Sequence, residues 1–512
     1  MPTEEITSEN NRDGRPGSEA GGRRIPFHTL LWLALGVLSL VAMAALERPE
    51  NRNARQPTLR GPSAIEFRTA TAGEAETRVA LAFHRFGERT KTETGAASID
   101  RMSLDSAIKT YREALPVTTS ANVARRILIL EHLAGKPTDP RLLNEKLPAL
   151  LRKRGTAPGE IAPEIALWKA LYVPGSPTPP ADARRRIDAM DLRILGLQAT
   201  IDLLERTGDR SGAARLIAER NRRSVNFLAI FIFLSVVGVL AFFTGVGFLI
   251  FFAQAALFKR GDLVGEVFPR PSPVTFMDLI DVFAFYFMVF EGSRLVLGAL
   301  LSSLLGRNRA TLAAGGDGTV FLLFELGAYL FPHVLAAIYL AVSMKRKFGV
   351  PADVGLTSTG IFRDIGYGIL GYCASLPLLF LLGQVSERIF RDNVQVTPNP
   401  AMSLIASRND PVDRILLFFL IAIAAPLCEE LFFRGVFLTG LRKRYGAVFS
   451  VIVSAVVFAI GHPVQDWLPI LGLGITFGTL RELRQSLVPS ITAHFLQNSA
   501  TYLYLSLLFG DR

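Results

Sequence analysis

Three short stretches hold the residue types from which catalysis could be built. "EELFFR" at 429–434 sets two adjacent glutamates and an arginine just beyond the apolar run "ILLFFLIAIA"; "FAIGH" at 458–462 ends in a histidine; "HFLQN" at 494–498 sets a histidine one turn before an asparagine. A charged side chain near the centre of a bilayer costs about 2.5–3.5 kcal/mol on insertion scales, so Glu429, Glu430 and Arg434 together demand pairing or water. Glu430 and Arg434 are four apart, one turn along one helical face, which suits an ion pair. Glu429 points about 100° away and gets no partner from its own helix. One glutamate is thus expected as structure and the other as a group free for chemistry. A free carboxylate, the imidazoles of His462 and His494, and the amide of Asn498 sit on three successive apolar segments and could converge. Singly each is unremarkable, since an intramembrane histidine commonly packs through a hydrogen bond and asparagine commonly joins helices. The ordered set is far more specific.

That order, EExxxR, FxxxH, HxxxN, resembles the membrane protease family that groups type II CAAX prenyl endopeptidases with bacteriocin-processing and lysostaphin-resistance-like proteins (CPBP). The resemblance covers residues 410–508 or so and draws on nothing before 350. It implies an all-helical intramembrane endopeptidase in which Glu429 and His462 activate water while His494 and Asn498 stabilise the oxyanion. The chemistry is self-consistent: a carboxylate removed from bulk water is a stronger base, an imidazole can share the proton, and each donor to the oxyanion is worth roughly 2.7–4 kcal/mol. No cofactor is required by this reading. The same Glu429, His462 and His494 could instead hold zinc with water in the fourth position, although the chain has no HExxH motif.

The elements that must position these groups are membrane helices. Half of the 512 residues are hydrophobic, 36 are Phe, and apolar runs near twenty residues recur through the second half, the signature of an integral membrane protein. The expected fold is all-α: a polytopic transmembrane bundle of about nine spans with a soluble helical domain inserted after the first. After the first apolar segment the spans fall at 225–258, 274–303, 318–344, 366–386, 412–440, 446–462, 467–480 and 487–508. The first of these is too long for one straight crossing and should project or bend. The formal charge of +11 belongs to clusters at span ends rather than to a nucleic-acid surface, so the bilayer and a protein or peptide substrate are the expected partners. Lys259 and Arg260, "KRK" at 345–347, "RKR" at 442–444 and "RELR" at 481–484 follow alternate spans and mark the cytoplasmic side. Arg222, Arg223, Arg307 and Arg309 point the other way. Cys373 and Cys428 both fall in spans, which excludes a disulfide framework or a cysteine zinc site.

Residues 1–24 read as a disordered tail, and 25–46 as a transmembrane anchor in a multi-pass cell-membrane protein, with "AMA" at 42–44 allowing a cleaved signal peptide instead. Residues 47–222 read as an extracytoplasmic helical domain with a tetratricopeptide-like pairing of helices, a surface that could take a protein partner. Within it Leu104, Ile108, Tyr111 and Leu115 share one face, as do Val123, Ile127, Leu130 and Leu133, with Ser120 expected to cap and Gly135 to stop. "LLERTGDRSGAARLIAERN" reads as helix, turn, helix, and His84 and His132 as surface or packing residues. Residues 223–350 are accessory spans and 351–512 the protease core. Elsewhere in the membrane, Glu291 and Arg294 suit a local ion pair, Glu325 and His333 lack local partners, Asp278 and Asp281 suit helix capping, and "AGGDGT" at 314–319 is a loop. Two other classes fit the polar residues: a transporter, which would show inverted hydropathy repeats that are not seen, and a catalytically degenerate scaffold or immunity protein.

Overall fold

A computed structural model of the chain describes residues 27–46, 71–83, 95–116, 118, 120–257, 276–305, 318–347, 354–357, 360–390, 400–408 and 410–510. The expectations for the 1–24 tail, His84, Lys259, Arg260, Arg307 and Arg309 lie outside these residues, as do the side chains of Arg294, Lys443 and Arg444. Every regular element among the described residues is helical.

After α1 (Phe27–Leu46) come α2 (71–83), α3 (Gly95–Ala114), α4 (Ala121–Leu133), α5 (Leu147–Lys153), α6 (Pro158–Tyr172), α7 (Ala183–Asp188) and α8 (Ile194–Thr207). Their apolar stripes interlock as the spacing predicts: Leu104, Ile108, Tyr111, Ile127 and Leu130 are buried around Trp168. Ser120 does stand at the N-terminus of α4, but its side chain makes no capping bond; Gly135 closes the turn after α4 with φ +66°. His132 packs on Tyr172, ring centroids 4.8 Å apart. Gly208, in the left-handed region at φ +86°, ends α8 and lets the chain turn directly into α9 (Arg210–Leu257). The overlong apolar run is therefore explained: α9 is one continuous helix of 48 residues whose polar first turns precede a stretch apolar enough to cross a bilayer.

The membrane part continues with α10 (Phe276–Leu305), α11 (Gly318–Lys347), α12 (Ile361–Phe390), α13 (Pro400–Ser407), α14 (411–445), α15 (Ala447–Ile460), α16 (Trp467–Arg484) and α17 (Val488–Phe509). Among the described residues, four helical stretches are long and apolar enough to cross a bilayer, namely Arg210–Phe251, Thr319–Ala336, Ile361–Phe390 and Pro411–Arg442, with shorter apolar helices at Phe27–Ser39 and Ala447–Ile460. The chain is thus a multi-pass membrane protein. Asp281, expected as a cap of α10, instead ties three helices together. Its carboxylate accepts from Thr29 and Tyr339 (2.7 Å to the latter) and lies 3.0 Å from His28 Nε2. An apolar helix surface has no directional means of choosing its neighbours, and a buried carboxylate with these donors supplies one.

The turn before α8 is fastened to the C-terminal ends of α13 and α17. Arg193 donates from Nη1 to Phe509 O (2.8 Å) and from Nη2 to Ala406 O (2.7 Å), and its guanidinium lies 4.5 Å from the Phe509 ring centroid. These are carbonyls at helix C-termini, which lack helical partners and attract a cation. A small apolar cluster that includes Phe227, Phe321, Ile405, Leu417, Tyr502 and Leu508 lies at the same junction.

Candidate active site

The site is built on α14. Asp410 caps its start, accepting from Val412 N (2.9 Å) and Asp413 N (3.3 Å), and Pro411 takes the first helical position, where no N–H is missed. The helix then widens twice, to π geometry at Phe419–Ala424 and again at Leu431–Phe437, on either side of Glu429 and Glu430. Pro426 gives the first widening a chemical reason. In the π register the carbonyl of Ile421 would receive the N–H of residue 426, and proline has none. Asn498 on α17 takes its place, donating from Nδ2 to Ile421 O at 2.8 Å.

The two glutamates have different surroundings. Glu430 and Arg434 have no exposed side-chain surface (0 % each) and pair at 2.9 Å through Oε1 and Nη1, as their spacing predicts. Arg434 also donates to Gly474 O (3.3 Å) and stands over the rings of Phe458 (4.4 Å) and Phe477 (5.3 Å). Gly474 is required there because a side chain would meet Ala455 Cβ at 2.8 Å, so α15 and α16 approach closely enough to enclose the guanidinium. Glu429 keeps 22 % of its side-chain surface exposed and takes no part in that pair.

His494 stands between them. Its Nδ1 is 2.9 Å from Glu430 Oε1 and its Nε2 3.8 Å from Glu429 Oε2. A buried carboxylate beside Nδ1 favours the proton there, which turns the Nε2 lone pair toward Glu429. The ring is clamped by Phe477, stacked at 4.9 Å, and by the edge of Phe458 at 5.9 Å.

His462 lies two residues beyond the end of α15. Its Nδ1 lies 3.0 Å from Phe458 O, and the His462 carbonyl accepts from Trp467 Nε1 at 2.8 Å. Its ring also packs on Phe458, at 5.1 Å, so one phenyl ring contacts both histidines and Arg434. No carboxylate oxygen of Glu429 or Glu430 lies within 4 Å of a ring nitrogen of His462; the imidazole beside Glu429 is that of His494. Glu429, Glu430, Arg434 and His494 therefore form the core of the cluster, with His462 and Asn498 at its edges.

Sequence reasoning missed a third wall, supplied by the accessory helices. Tyr329 of α11 donates its hydroxyl to Glu429 Oε1 at 3.0 Å. His333, one turn on, places Nδ1 2.6 Å from Tyr329 O and Nε2 2.9 Å from the hydroxyl of Tyr286 on α10. His333 is thus partnered, by Tyr329 one turn back on its own helix and by Tyr286 across helices, which local spacing could not reveal. The available signal was "YLFPH", an aromatic and a histidine one turn apart around a proline inside an apolar run.

As placed, two of the three groups that could hold zinc, Glu429 and His494, fall together, and His462 does not join them. No three His, Cys, Asp or Glu side chains converge into a metal-holding group among the described residues. The arrangement does not fit a three-ligand zinc centre.

A carboxylate–imidazole cluster inside a helical membrane bundle is compatible with an intramembrane enzyme and with an ion-handling protein. The family comparison narrows this. Residues 411–500 match the family described as type II CAAX prenyl endopeptidase Rce1-like, so the chain carries a domain of the CPBP family over α14 to the first half of α17. Comparison with curated proteins and with solved structures returned no match.

Proposed function

We propose that the protein is an intramembrane endopeptidase that hydrolyses peptide bonds of membrane-associated proteins or peptides. The observation that carries the reading is the unequal pair: Glu430 is consumed by Arg434 and His494, whereas Glu429, within the family-matched segment, keeps an accessible carboxylate oxygen facing an imidazole nitrogen.

In the proposed reaction Glu429 takes a proton from water as the oxygen attacks the peptide carbonyl. The carbonyl π electrons move onto oxygen, and that charge is stabilised by Asn498 and by His494, whose Nε2 becomes a donor when it shares the proton that Glu429 has taken from water. Collapse of the tetrahedral adduct breaks the C–N bond, and the proton held by Glu429 passes to the departing amine. His462 orients the water with Glu429, an arrangement that requires its imidazole to turn from the Phe458 carbonyl toward Glu429. Asn498 has a second amide hydrogen left after its bond to Ile421 O. No cofactor enters this sequence of steps; zinc held by Glu429, His462 and His494 is the alternative, which would need His462 to move beside the other two, and stoichiometric zinc whose removal abolishes cleavage would decide for it. We place the soluble domain outside the cytoplasm and the bundle at nine crossings.

The test compares peptides released from and retained in membranes of cells carrying the intact protein or Glu429→Gln. The expected result is a set of cleavages lost in the variant at equal membrane abundance. Identical peptide sets in the two would reject the reading.

A further inference from the structure

We propose that Tyr329 is a positioning residue for Glu429, held in place by Tyr286 and His333, so that the accessory helices α10 and α11 complete an active site that the family domain alone leaves open. This rests on the endopeptidase reading.

The argument starts from the two oxygens of Glu429. A carboxylate on a helix can rotate about its last torsion, and a rotating base presents each oxygen to water only part of the time. Tyr329 occupies Oε1 with a hydroxyl donor at 3.0 Å, while Oε2 is the oxygen that faces His494 Nε2 at 3.8 Å. The tyrosine bond thereby fixes which oxygen acts as base. It does so with a donor that touches neither the attacking water nor the substrate, hence its action through Glu429.

Tyr329 would serve poorly if its own ring were loose, and the structure supplies the constraint. His333 can satisfy both of its neighbours in one tautomer only: Nδ1–H donates to Tyr329 O at 2.6 Å, and Nε2 accepts from the Tyr286 hydroxyl at 2.9 Å. The His333 ring also packs on Tyr329 at 4.5 Å, and Tyr286 stacks on Phe432, itself two residues from Glu430 on α14, at 4.5 Å. The chain Glu429, Tyr329, His333, Tyr286, Phe432 closes on the same helix it left. Three polar side chains inside apolar helices, each with a stated partner and linked in series to one carboxylate, are costly unless they serve it.

The experiment uses the full-length protein in detergent micelles and the peptide whose release from membranes depends on Glu429. Tyr329→Phe removes one hydroxyl and keeps the ring, so it should lower kcat by about tenfold to a hundredfold with KM unchanged. Tyr286→Phe, one bond further out, should lower kcat less. Thermal unfolding of intact protein, Tyr329→Phe, Glu429→Ala and the double variant supplies a readout that needs no substrate: a direct bond, which alanine cannot accept, makes the two shifts in Tm non-additive. Turnover of Tyr329→Phe within twofold of the intact protein, with Glu429→Gln inactive, would overturn the positioning role while the endopeptidase reading stands. Additive Tm shifts would likewise overturn it. Absence of any Glu429-dependent cleavage overturns both.

Discussion

His494 touches both members of the glutamate pair through opposite ring nitrogens, Nδ1 at 2.9 Å from Glu430 and Nε2 at 3.8 Å from Glu429. Glu430 is consequently more than the countercharge of Arg434, because it also sets the tautomer and aim of the imidazole. Adjacent glutamates on a helix diverge, and a single ring inserted from α17 spans the divergence.

The two glutamates should fail differently. Glu429→Gln removes the base and leaves the buried pair intact, so membrane abundance and detergent Tm should match the intact protein while cleavage disappears. Glu430→Gln leaves Arg434 buried with no countercharge, a loss of about 3–5 kcal/mol for a dry site. Its detergent Tm should fall markedly, with cleavage lost in proportion to folded protein and further through the misaimed His494. Normal cleavage by Glu429→Gln, or a fully stable and inactive Glu430→Gln, would contradict these roles.

Asn498 should prove structural as well as catalytic. Asn498→Ala strands the Ile421 carbonyl, at a stability cost of about 1–3 kcal/mol for a buried acceptor left unpaired. Pro426→Ala returns an N–H to the helix at the position from which that carbonyl would be served. The double variant should therefore recover much of the Tm lost by Asn498→Ala, without recovering cleavage. Equal Tm loss in the single and double variants would show that the Ile421 carbonyl does not need Asn498.

The attachment of α1 should depend on Asp281 and on Gly36. Asp281→Ala removes the acceptor of Thr29 and Tyr339, and a side chain at Gly36 would meet Phe287 Cδ1 at 2.5 Å. Either Asp281→Ala or Gly36→Leu should abolish oxidative cross-linking between cysteines introduced at Ser39 and Gly292, where a Cβ at Gly292 would stand 3.8 Å from Ser39 Oγ. Undiminished cross-linking in both would mean that α1 is held by other contacts.

The soluble domain and the "RKR" cluster should label from opposite sides. Arg193 holds Phe509 O and Ala406 O at the end of the bundle where α14 begins, and Arg442 lies at the other end of α14. Single cysteines near 150 and 443 should react with a membrane-impermeant reagent, the first from outside and the second only after permeabilisation. Equal protection of both would refute the orientation.

Asp202 predicts a pH dependence confined to the soluble domain. Burial raises its carboxyl above the ordinary range, offset in part by the Tyr172 hydroxyl (2.8 Å), the Gln198 amide (2.7 Å) and nearby His132. A group bound more tightly to its proton in the folded state contributes stability that is full below the unfolded value of about 3.9 and is lost as pH rises through the raised folded value. Asp202→Asn stays neutral and lacks that loss. Melting followed by Trp168 fluorescence should show the variant gaining on the intact protein between about pH 4 and pH 7. A constant difference across that range would exclude the effect.

Much of the site was legible from spacing. The pairing of Glu430 with Arg434 is set by helical geometry within one segment, so four residues of separation were enough to specify it. The apolar faces of α3 and α4 and the turn at Gly208 are local in the same sense. The roles of Asp281 and His333 were not legible, because their partners lie up to 252 residues away in sequence, on helices whose rotation about their own axes no periodicity fixes in a uniformly apolar bundle.

By itself the sequence determined that the chain is helical and membrane-embedded, that one glutamate of the pair is tied to an arginine, and that two histidines and an asparagine follow in the order of a protease family. Tertiary structure alone decided which of them meet. His494 rather than His462 stands beside Glu429, Asn498 repairs the carbonyl that Pro426 leaves unserved, and Tyr329 arrives from outside the family segment. The reason is physical: periodicity records which face of a helix is apolar, and in a bilayer nearly every face is, so the contacts are chosen by a few polar groups seeking partners across helices.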